Sequence, residues 1–359
     1  MIFWTKIRRS LFIEQNVTVL SLTLLFILIA FFTWYPILPI YLRELGANDL
    51  QVGFSYTFPL LYFLAAKSNN WLNLIYLLAM ANILNALQGP SFFSIIAESV
   101  PKTKRGTAFA LVELFLVLGI TLGPALGMIL ISRVEIKYLF YFTSFTTFLC
   151  AIAGMLWLKE THHLRTRKNN FNSYKKLFNK KMFLIISAFS SLALLYNLTT
   201  TGPFISLYAN EVMSLDKSKI NLVFALGGFA AVIYSLWGGK IIDKWGSKKV
   251  LLCSASGLGI FIILWSLSSA WLLIISMFGI FNVFAQSCTI AYNSFMADIT
   301  HQQSRGLVIG FIGTCTGLIG SIGPSLGGYL KFQFGPSSPF WAGLIFALIT
   351  SLLLIKVKD

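Results

Sequence analysis

Residues 71–130 read WLNLIYLLAMANILNALQGPSFFSIIAESVPKTKRGTAFALVELFLVLGITLGPALGMIL, and this stretch decides the fold. It is a long apolar segment, a basic turn and a second apolar segment that ends in a Gly-Pro motif. The same order returns 200 positions later (271 minus 71) without a gap. The matching pairs are Trp71 with Trp271, Asn82 with Asn282, Glu98 with Asp298, Arg105 with Arg305, and Gly123 with Gly323. Because solenoid repeats are much shorter, this period predicts two copies of one helical membrane bundle.

The composition narrows the class of protein. Hydrophobic residues make up 57% of the chain and charged residues only 11%, whereas a soluble domain carries about 25% charge. Several apolar runs exceed the roughly 20 residues that a helix needs to cross a bilayer. Each such span has to satisfy its own backbone polar groups. The composition therefore predicts an all-α polytopic membrane protein.

The net charge of +16 does not indicate nucleic-acid binding. The basic residues lie in short segments between apolar runs, which is the distribution of cytoplasmic loops in membrane proteins. The start of the chain is also basic, with Lys6, Arg8 and Arg9, and the apolar run that follows is too long for a signal peptide. We therefore expect a multi-pass protein of the plasma membrane with both termini in the cytoplasm.

The sequence contains no sign of catalytic or metal chemistry. The four cysteines, Cys150, Cys253, Cys288 and Cys315, all fall in apolar stretches, without the spacing of a disulfide framework or a metal site. No nucleophile–base pair appears within the spans. We expect no enzymatic activity, no cofactor and no bound metal.

About 11 apolar segments are visible where a pair of six-helix bundles would have 12. They lie at about 17–42, 51–66, 71–97, 106–131, 136–158, 182–208, 220–239, 250–267, 271–297, 306–330 and 339–355. In the first, Pro36 and Pro39 mark a bend or a cavity wall. We predict an N-terminal bundle over 1–158, a basic cytoplasmic linker over 159–181 and a C-terminal six-helix bundle over 182–359.

A change in the repeat offset locates the missing segment. Pro36, Tyr41 and Glu44 match residues 167 positions later, at Pro203, Tyr208 and Glu211. From residue 71 onward the offset is 200, so the first half lacks 33 residues (200 minus 167). In the second half this interval holds a loop and a whole helix. The first bundle therefore lacks its third helix, between about residues 52 and 68.

The distribution of basic residues conflicts with a single crossing by the segment at 51–66. A cytoplasmic N-terminus places residues 43–49 outside, and a cytoplasmic basic turn at 98–105 places Trp71 outside as well. One reading is that the segment at 51–66 is a stub or re-entrant element that returns to the same side. The other is that it crosses and the charge rule fails in the first half. We favour the first.

One loop carries a specific resemblance. Residues 239–249 read GKIIDKWGSKK, which resembles the loop signature of the major facilitator superfamily, in particular of its drug-exporter-like proton antiporters. The resemblance covers nearly the whole chain apart from the missing helix, and it implies a two-bundle fold with an internal repeat. It also implies a gating role for the signature residues Gly239, Asp243, Lys244, Gly246, Lys248 and Lys249. The first-half copy of this signature would lie in the missing interval.

Two further motifs resemble those of the same family. Gly119, Gly123, Pro124 and Gly127 resemble the fifth-helix antiporter motif, in which small residues let helices pack closely; Met128 stands where the family has glycine. Gly323, Pro324 and Gly327 form a looser second copy. In the fourth-helix motif Asn85 replaces the arginine that the family associates with proton transfer, so proton coupling stays open.

Charged residues inside the predicted spans are rare, and such residues are functional candidates by default. Glu113, eight residues after Arg105, is the candidate proton-coupling group. The alternative is a carboxylate that is hydrogen-bonded near the cytoplasmic end of its helix. The pairs Glu98–Arg105 and Asp298–Arg305 lie at helix ends, where we expect ion pairs of a gate.

We expect a substrate cavity near the bilayer midplane. The candidate lining residues are polar or aromatic: Tyr35, Asn82, Asn85, Gln88, Asn197, Asn282, Gln286, Tyr292 and Asn293. With 33 phenylalanines in the chain and few buried charges, such a cavity favours apolar or weakly polar solutes.

The sequence thus predicts a secondary transporter that exports a hydrophobic or weakly polar small molecule by alternating access. Its partners would be that substrate, protons if transport is coupled, and the lipid bilayer, with no nucleic acid and as a monomer. Uptake of a neutral solute such as a sugar or metabolite is one alternative. A non-transporting or degenerate protein is the other, because of the missing helix.

Overall fold

The computed structural model describes residues 15–44, 70–77, 99–100, 105–158, 180–201, 203–299 and 305–357. Their regular structure is entirely helical, which confirms the all-α prediction. Nine segments of this described part are long and apolar enough to cross a membrane. The predicted segment at 51–66, most of the one at 71–97 and the linker up to residue 179 lie outside the described residues.

The helices of the first half are α1 (Gln15–Phe32), a short 3-10 helix (Tyr35–Ile37), α2 (Leu38–Glu44), α3 (Arg105–Ile131) and α4 (Ile136–Trp157). Those of the second half are α5 (Lys180–Thr199), α6 (Phe204–Glu211), α7 (Lys217–Trp245), α8 (Ser247–Ser266), α9 (Trp271–Ile299), α10 (Arg305–Gly320), α11 (Gly323–Phe334) and α12 (Ser338–Lys356).

Three segments that the sequence predicts as single helices are interrupted. The first breaks at Thr33 and Trp34, just before Pro36, which has no backbone N–H to donate. The segment at 182–208 ends α5 at Thr199 and resumes as α6 after Pro203. The segment at 306–330 divides before Pro324. In each case a proline lies within the first two residues of the continuing helix or immediately before it, where its missing donor matters least.

The described residues form two compact units. The first contains α1, the 3-10 helix, α3, α4 and the beginning of α7, Lys217–Ala225. The second contains α5, α6, the rest of α7 and α8 to α12. The sequence did not predict that α7 begins in the first unit. The predicted boundaries at 158 and 182 stay predictions.

In the first unit, a stripe of small residues brings α3 against α1. A Cβ atom added at Gly119 would lie 2.6 Å from Leu28 Cβ, and one added at Gly123 would lie 2.9 Å from the Ile29 carbonyl oxygen. Four-residue spacing places these glycines on one face of the helix. The backbones therefore approach more closely than larger side chains would permit.

The interruption of the first helix is held by polar contacts. Trp34 is fully buried and donates from Nε1 to Thr143 Oγ1 at 3.0 Å. The amide of Ile37 turns to the Trp34 carbonyl, which leaves the Thr33 carbonyl outside the helical pattern. Asn221 Nδ2, from the beginning of α7, donates to that carbonyl at 3.2 Å. A buried carbonyl freed by a helix break thus finds a side-chain donor.

The second unit is packed around buried aromatic side chains. Trp265 of α8 lies 5.7 Å from Phe278 of α9 and 5.9 Å from Phe340 of α12, measured between ring centroids. Tyr208 of α6 joins them and donates its hydroxyl proton to the Ser266 carbonyl at 2.8 Å. This cluster packs α6, α8, α9 and α12 against one another.

Candidate functional site

A cavity of about 220 Å³ lies in the second unit between α5, α9 and α10. It is lined by Phe189, Leu192, Ala193, Tyr196, Cys288, Thr289, Tyr292 and Thr316. None of these residues carries a charge. The walls are aromatic and aliphatic, and a few neutral polar groups interrupt them, which is the usual composition of a small-molecule pocket.

The polar groups of the cavity are held in place by hydrogen bonds. The Tyr196 hydroxyl donates to the Ala285 carbonyl at 2.6 Å and lies 3.2 Å from Thr289 Oγ1. The Thr289 hydroxyl donates to the same Ala285 carbonyl at 3.1 Å, so both hydroxyls meet at one acceptor. This network connects α5 to α9 and sets the orientation of the tyrosine ring.

Aromatic packing defines one wall of the cavity. The ring of Tyr292 meets that of Phe189 edge to face, with centroids 4.7 Å apart, an arrangement that aromatic pairs prefer. Phe189 also contacts Phe295 at 6.1 Å. A ligand in this cavity would meet the aromatic rings of Phe189 and Tyr292 and the side chains of Tyr196 and Thr289.

Of the predicted cavity residues, Tyr292 lines this cavity. Asn197 and Asn282 instead donate to carbonyls of their own helices, Ala193 and Phe278, at 2.9 and 2.8 Å. Both also fill space at glycines: Asn197 lies against Gly323, and Asn282 against Gly227. Their positions therefore fit helix packing.

The remaining candidates lie elsewhere. Gln286 and Asn293, also on α9, do not line the cavity. Tyr35 lies in the first unit, in the 3-10 helix, where its ring is 4.8 Å from Phe31. Asn82, Asn85 and Gln88 lie outside the described residues.

Tyr196, Cys288, Thr289 and Thr316 were missed by the sequence reasoning. That reasoning chose amides by their polarity, whereas the cavity uses hydroxyls and aromatic rings. A signal existed: Phe189, Ala193 and Tyr196 follow four- and three-residue spacing, as do Cys288 or Thr289 with Tyr292. Spacing alone could not say which of several such faces meets a cavity.

The predicted gating loop forms a second polar region. Gly246, at φ +86°, separates α7 from α8 in a conformation that favours glycine. Lys248 and Lys249 line a depression of about 740 Å³ together with Lys181 and Asp298. Lys248 donates from Nζ to the Val357 carbonyl, at the end of α12.

Asp298, rather than Asp243, meets the helix terminus here. Asp298 Oδ2 accepts a 2.6 Å hydrogen bond from the hydroxyl of Ser247, the first residue of α8, where a carboxylate is favoured by the helix dipole. Asp243 and Lys244 are exposed on the last turns of α7, and Gly239 has open space where a Cβ would be. The gating role of these residues stays a prediction.

The predicted ion pairs of the gate involve side chains that the structure does not describe. Glu98 lies outside the described residues, and so do the side chains of Glu113, Arg105 and Arg305. The proposed Glu98–Arg105 and Asp298–Arg305 ion pairs therefore stay predictions.

All four residues of the glycine motif, Gly119, Gly123, Pro124 and Gly127, lie in the described helix α3. Gly127 lies against the Thr33 carbonyl and Asn221, next to Pro124, which is inside α3. In the looser second copy, Gly327 lies against Phe204, and Pro324 begins α11.

The described residues offer no group of three His, Cys, Asp or Glu side chains that could hold a metal ion. Their cysteines are all free.

Comparison with known proteins shows the family to which the chain belongs. Residues 52–246 and 187–359 match the sequence profile of the Major Facilitator Superfamily. The chain belongs to this superfamily. It is therefore a multi-pass membrane transporter and not an enzyme, which confirms the class that the sequence predicts.

Two relatives support the drug-exporter-like branch of the superfamily. The multi-drug resistance efflux pump PmrA of Streptococcus pneumoniae is 25% identical over 304 residues, covering 79% of this chain and 75% of the pump. The multidrug resistance protein MdtG of Proteus mirabilis is 26% identical over 277 residues, covering 64% and 67%. The resemblance seen in the motifs is thereby confirmed.

A solved structure supports the fold. A bacterial metal transporter has a TM-score of 0.69 against this chain at 15% identity, covering 96% of this chain and 98% of that one. At this identity the similarity concerns the superfamily fold and not the transported substrate.

Proposed function

We propose that this transporter exports hydrophobic or weakly polar small molecules by alternating access. The observation that carries the proposal is the cavity between α5, α9 and α10, whose lining residues are all uncharged. A phosphorylated or strongly ionic solute would lose its hydration there without gaining a counter-charge. An apolar solute gains contact with the Phe189–Tyr292 pair and loses little.

The functions of the two relatives favour export over uptake. PmrA and MdtG are described as a multidrug efflux pump and a multidrug resistance protein. A broad substrate range needs a cavity without a specific charge partner, and this cavity fits that requirement. We propose, in addition, residence in the plasma membrane as a monomer with cytoplasmic termini.

Proton coupling is a separate part of the proposal. Glu113 is the acidic residue within α3, and protonation of a carboxylate inside a span removes the cost of its charge. A carboxylate that binds and releases a proton during the cycle would couple export to the proton gradient. This role rests on the position of Glu113 in the helix.

Efflux of Nile red, a neutral lipophilic dye, tests the proposal in cells that lack their own exporters. Cells that express the chain should release preloaded dye faster than cells without it. We expect Tyr292→Ala to slow efflux by about fivefold to tenfold, the equivalent of about 1–1.4 kcal/mol, because it removes one wall of the cavity. Tyr329→Ala, at a tyrosine of α11 that is 48% exposed, is the matched control.

Three outcomes would count against the proposal. If dye efflux were equal with and without the chain, the export hypothesis would be wrong. If cells that express the chain accumulated a neutral sugar instead, uptake would be favoured. If Tyr292→Ala and Tyr329→Ala slowed dye efflux equally, the cavity would have no specific part in transport. For coupling, Glu113→Gln should abolish sensitivity to an uncoupler, whereas Glu135→Gln, at an exposed turn, should retain it.

A further inference from the structure

A separate groove lies in the second unit between α7, α8 and α9, next to the basic loop at 239–249. Its volume is about 540 Å³, and it shares no lining residue with the cavity described above. It lies at the end of α7 that precedes Gly246. The transport mechanism proposed above makes no use of it.

The groove carries two positive charges. Lys240 and Lys244 both line it, and their four-residue spacing places them on one face of α7. Both are exposed, and within the described part of the chain neither is paired with a carboxylate. Asp243, which lies between them in sequence, does not line the groove. The groove is thus built to receive negative charge.

Two tryptophans frame the lysines. Trp237 and Trp245 line the same groove and are 54% and 59% exposed. The helix that carries them is one of the candidate membrane spans. Tryptophan next to lysine at the end of a span is typical of the level of the lipid headgroups, where the lysine stem lies in the apolar layer and its ammonium group reaches the interface.

Three hydroxyl groups that bond to one another form the floor of the groove. The Tyr234 hydroxyl lies 2.8 Å from Ser287 Oγ, which is 2.7 Å from Ser254 Oγ. Ser254 and Ser287 are almost fully buried. The hydroxyls therefore bond to one another beneath the groove and connect α7, α9 and α8.

We infer that this groove binds an anionic phospholipid, with its phosphate on Lys240 and Lys244. The acyl chains would run along the apolar surface of α7 past Trp237. Basic pockets between helices on the cytoplasmic side are sites for such headgroups. A soluble phosphate ester would supply the charge and leave the exposed tryptophans in contact with water.

Cys253 provides a reporter in the groove. It is an exposed free thiol and lines the groove beside the lysines. Cys150, a partly exposed thiol of α4 in the first unit, serves as the internal standard. N-ethylmaleimide labelling of the full-length chain would be measured at both cysteines by mass spectrometry, in vesicles of phosphatidylcholine with or without phosphatidylglycerol.

We expect phosphatidylglycerol to slow labelling of Cys253 by about threefold to tenfold relative to Cys150. The protection should disappear in Lys240→Gln/Lys244→Gln and remain in Lys240→Arg/Lys244→Arg. It should also remain in Lys249→Gln/Lys356→Gln, which removes the same charge from two exposed lysines near the same end of the bundle. Glycerol phosphate added to phosphatidylcholine vesicles should give no protection.

Equal labelling of Cys253 in the two kinds of vesicle would overturn the inference. Loss of protection in the control pair as well would show attraction to surface charge in general, and protection by glycerol phosphate would show an anion site that is not a lipid site. Unchanged labelling of Cys150 in each variant shows that the protein is folded.

Discussion

Lys331 lies in α11, inside a candidate membrane span, and its side chain is only 3% exposed. Its Nζ is 2.7 Å from Glu211 Oε2, at the end of α6. The repeat did not predict this pair, because the residue 200 positions before Lys331 is Ile131. A buried lysine is tolerated only with a partner, so the pair joins α6 to α11 within the second unit.

Removal of one partner should destabilise the protein. We expect Lys331→Met to lower the free energy of unfolding by about 2–3 kcal/mol, less than the about 3–5 kcal/mol typical of fully buried pairs, because Glu211 is 24% exposed. Denaturant unfolding in detergent measures the change. Lys356→Met, at an exposed lysine of α12, should have little effect.

A double-mutant cycle separates the pair from either residue alone. Lys331→Met combined with Glu211→Gln should recover part of the loss, because no unpaired charge is then left buried. If the two single effects simply added, the ion pair would not be the source of the stabilisation.

Between elements, the contact of α1 with α3 depends on the absence of side chains. Gly119, Gly123 and Gly127 follow one face of α3, and each added Cβ would meet α1 or the chain just after it. Gly127 also touches Asn221, whose amide holds the Thr33 carbonyl. The glycine stripe and the helix break therefore form one joint between α1, α3 and the beginning of α7.

Alanine substitutions distinguish this joint from ordinary helical glycines. Glycine to alanine inside a helix is favourable by about 0.5–1 kcal/mol, but overpacking costs about 1–3 kcal/mol. A Cβ at Gly123 would meet Phe32 Cβ and the Ile29 carbonyl oxygen, and the carbonyl belongs to the backbone and cannot move aside easily. The cost of overpacking should therefore exceed the gain in helix propensity. Gly123→Ala should then lower the midpoint of thermal unfolding.

Gly317 of α10 is the matched control. A Cβ there would meet nothing within 4 Å, so Gly317→Ala should raise the midpoint slightly or leave it unchanged. A Gly123→Ala protein as stable as the Gly317→Ala protein would show that α1 can move away from α3 at no cost.

At the scale of the whole molecule, the first half is shorter than the second by the 33 residues that separate the two offsets. The interval in which the missing helix would lie is outside the described residues. The superfamily profile matches from residue 52 onward. How residues 51–66 meet the membrane stays a prediction, and it determines the side on which Trp71 lies.

Labelling of one cysteine tests this topology. In a stub that returns to its own side, Ser68 faces the outside, so Ser68→Cys in intact cells should react with an impermeant maleimide. Lys249→Cys, in the basic loop, should react only after the membrane is permeabilised. Reaction of Ser68→Cys from the cytoplasm alone would show that residues 51–66 cross once.

Within the described residues the positions of the helical segments could be predicted, because apolar length and basic flanks act within each segment. The internal repeat predicted the two-bundle organisation, and the motifs predicted the superfamily. Of the predicted substrate-cavity residues, Tyr292 lines the cavity between α5, α9 and α10, and its part in substrate binding stays a prediction. Asn197 and Asn282 are just as polar, but they bond to their own helices, and periodicity could not distinguish these cases.

By itself, then, the sequence determined the membrane class, the duplication and the superfamily of this transporter. Only the tertiary structure decided that hydroxyls of Tyr196 and Thr289 line the cavity, that Lys331 has Glu211 as its partner and that Lys240 and Lys244 share a groove. The physical reason is that insertion into a bilayer depends on the summed hydrophobicity of the residues in one segment. The face that a helix presents to a cavity depends instead on its rotation against neighbours that are distant in sequence.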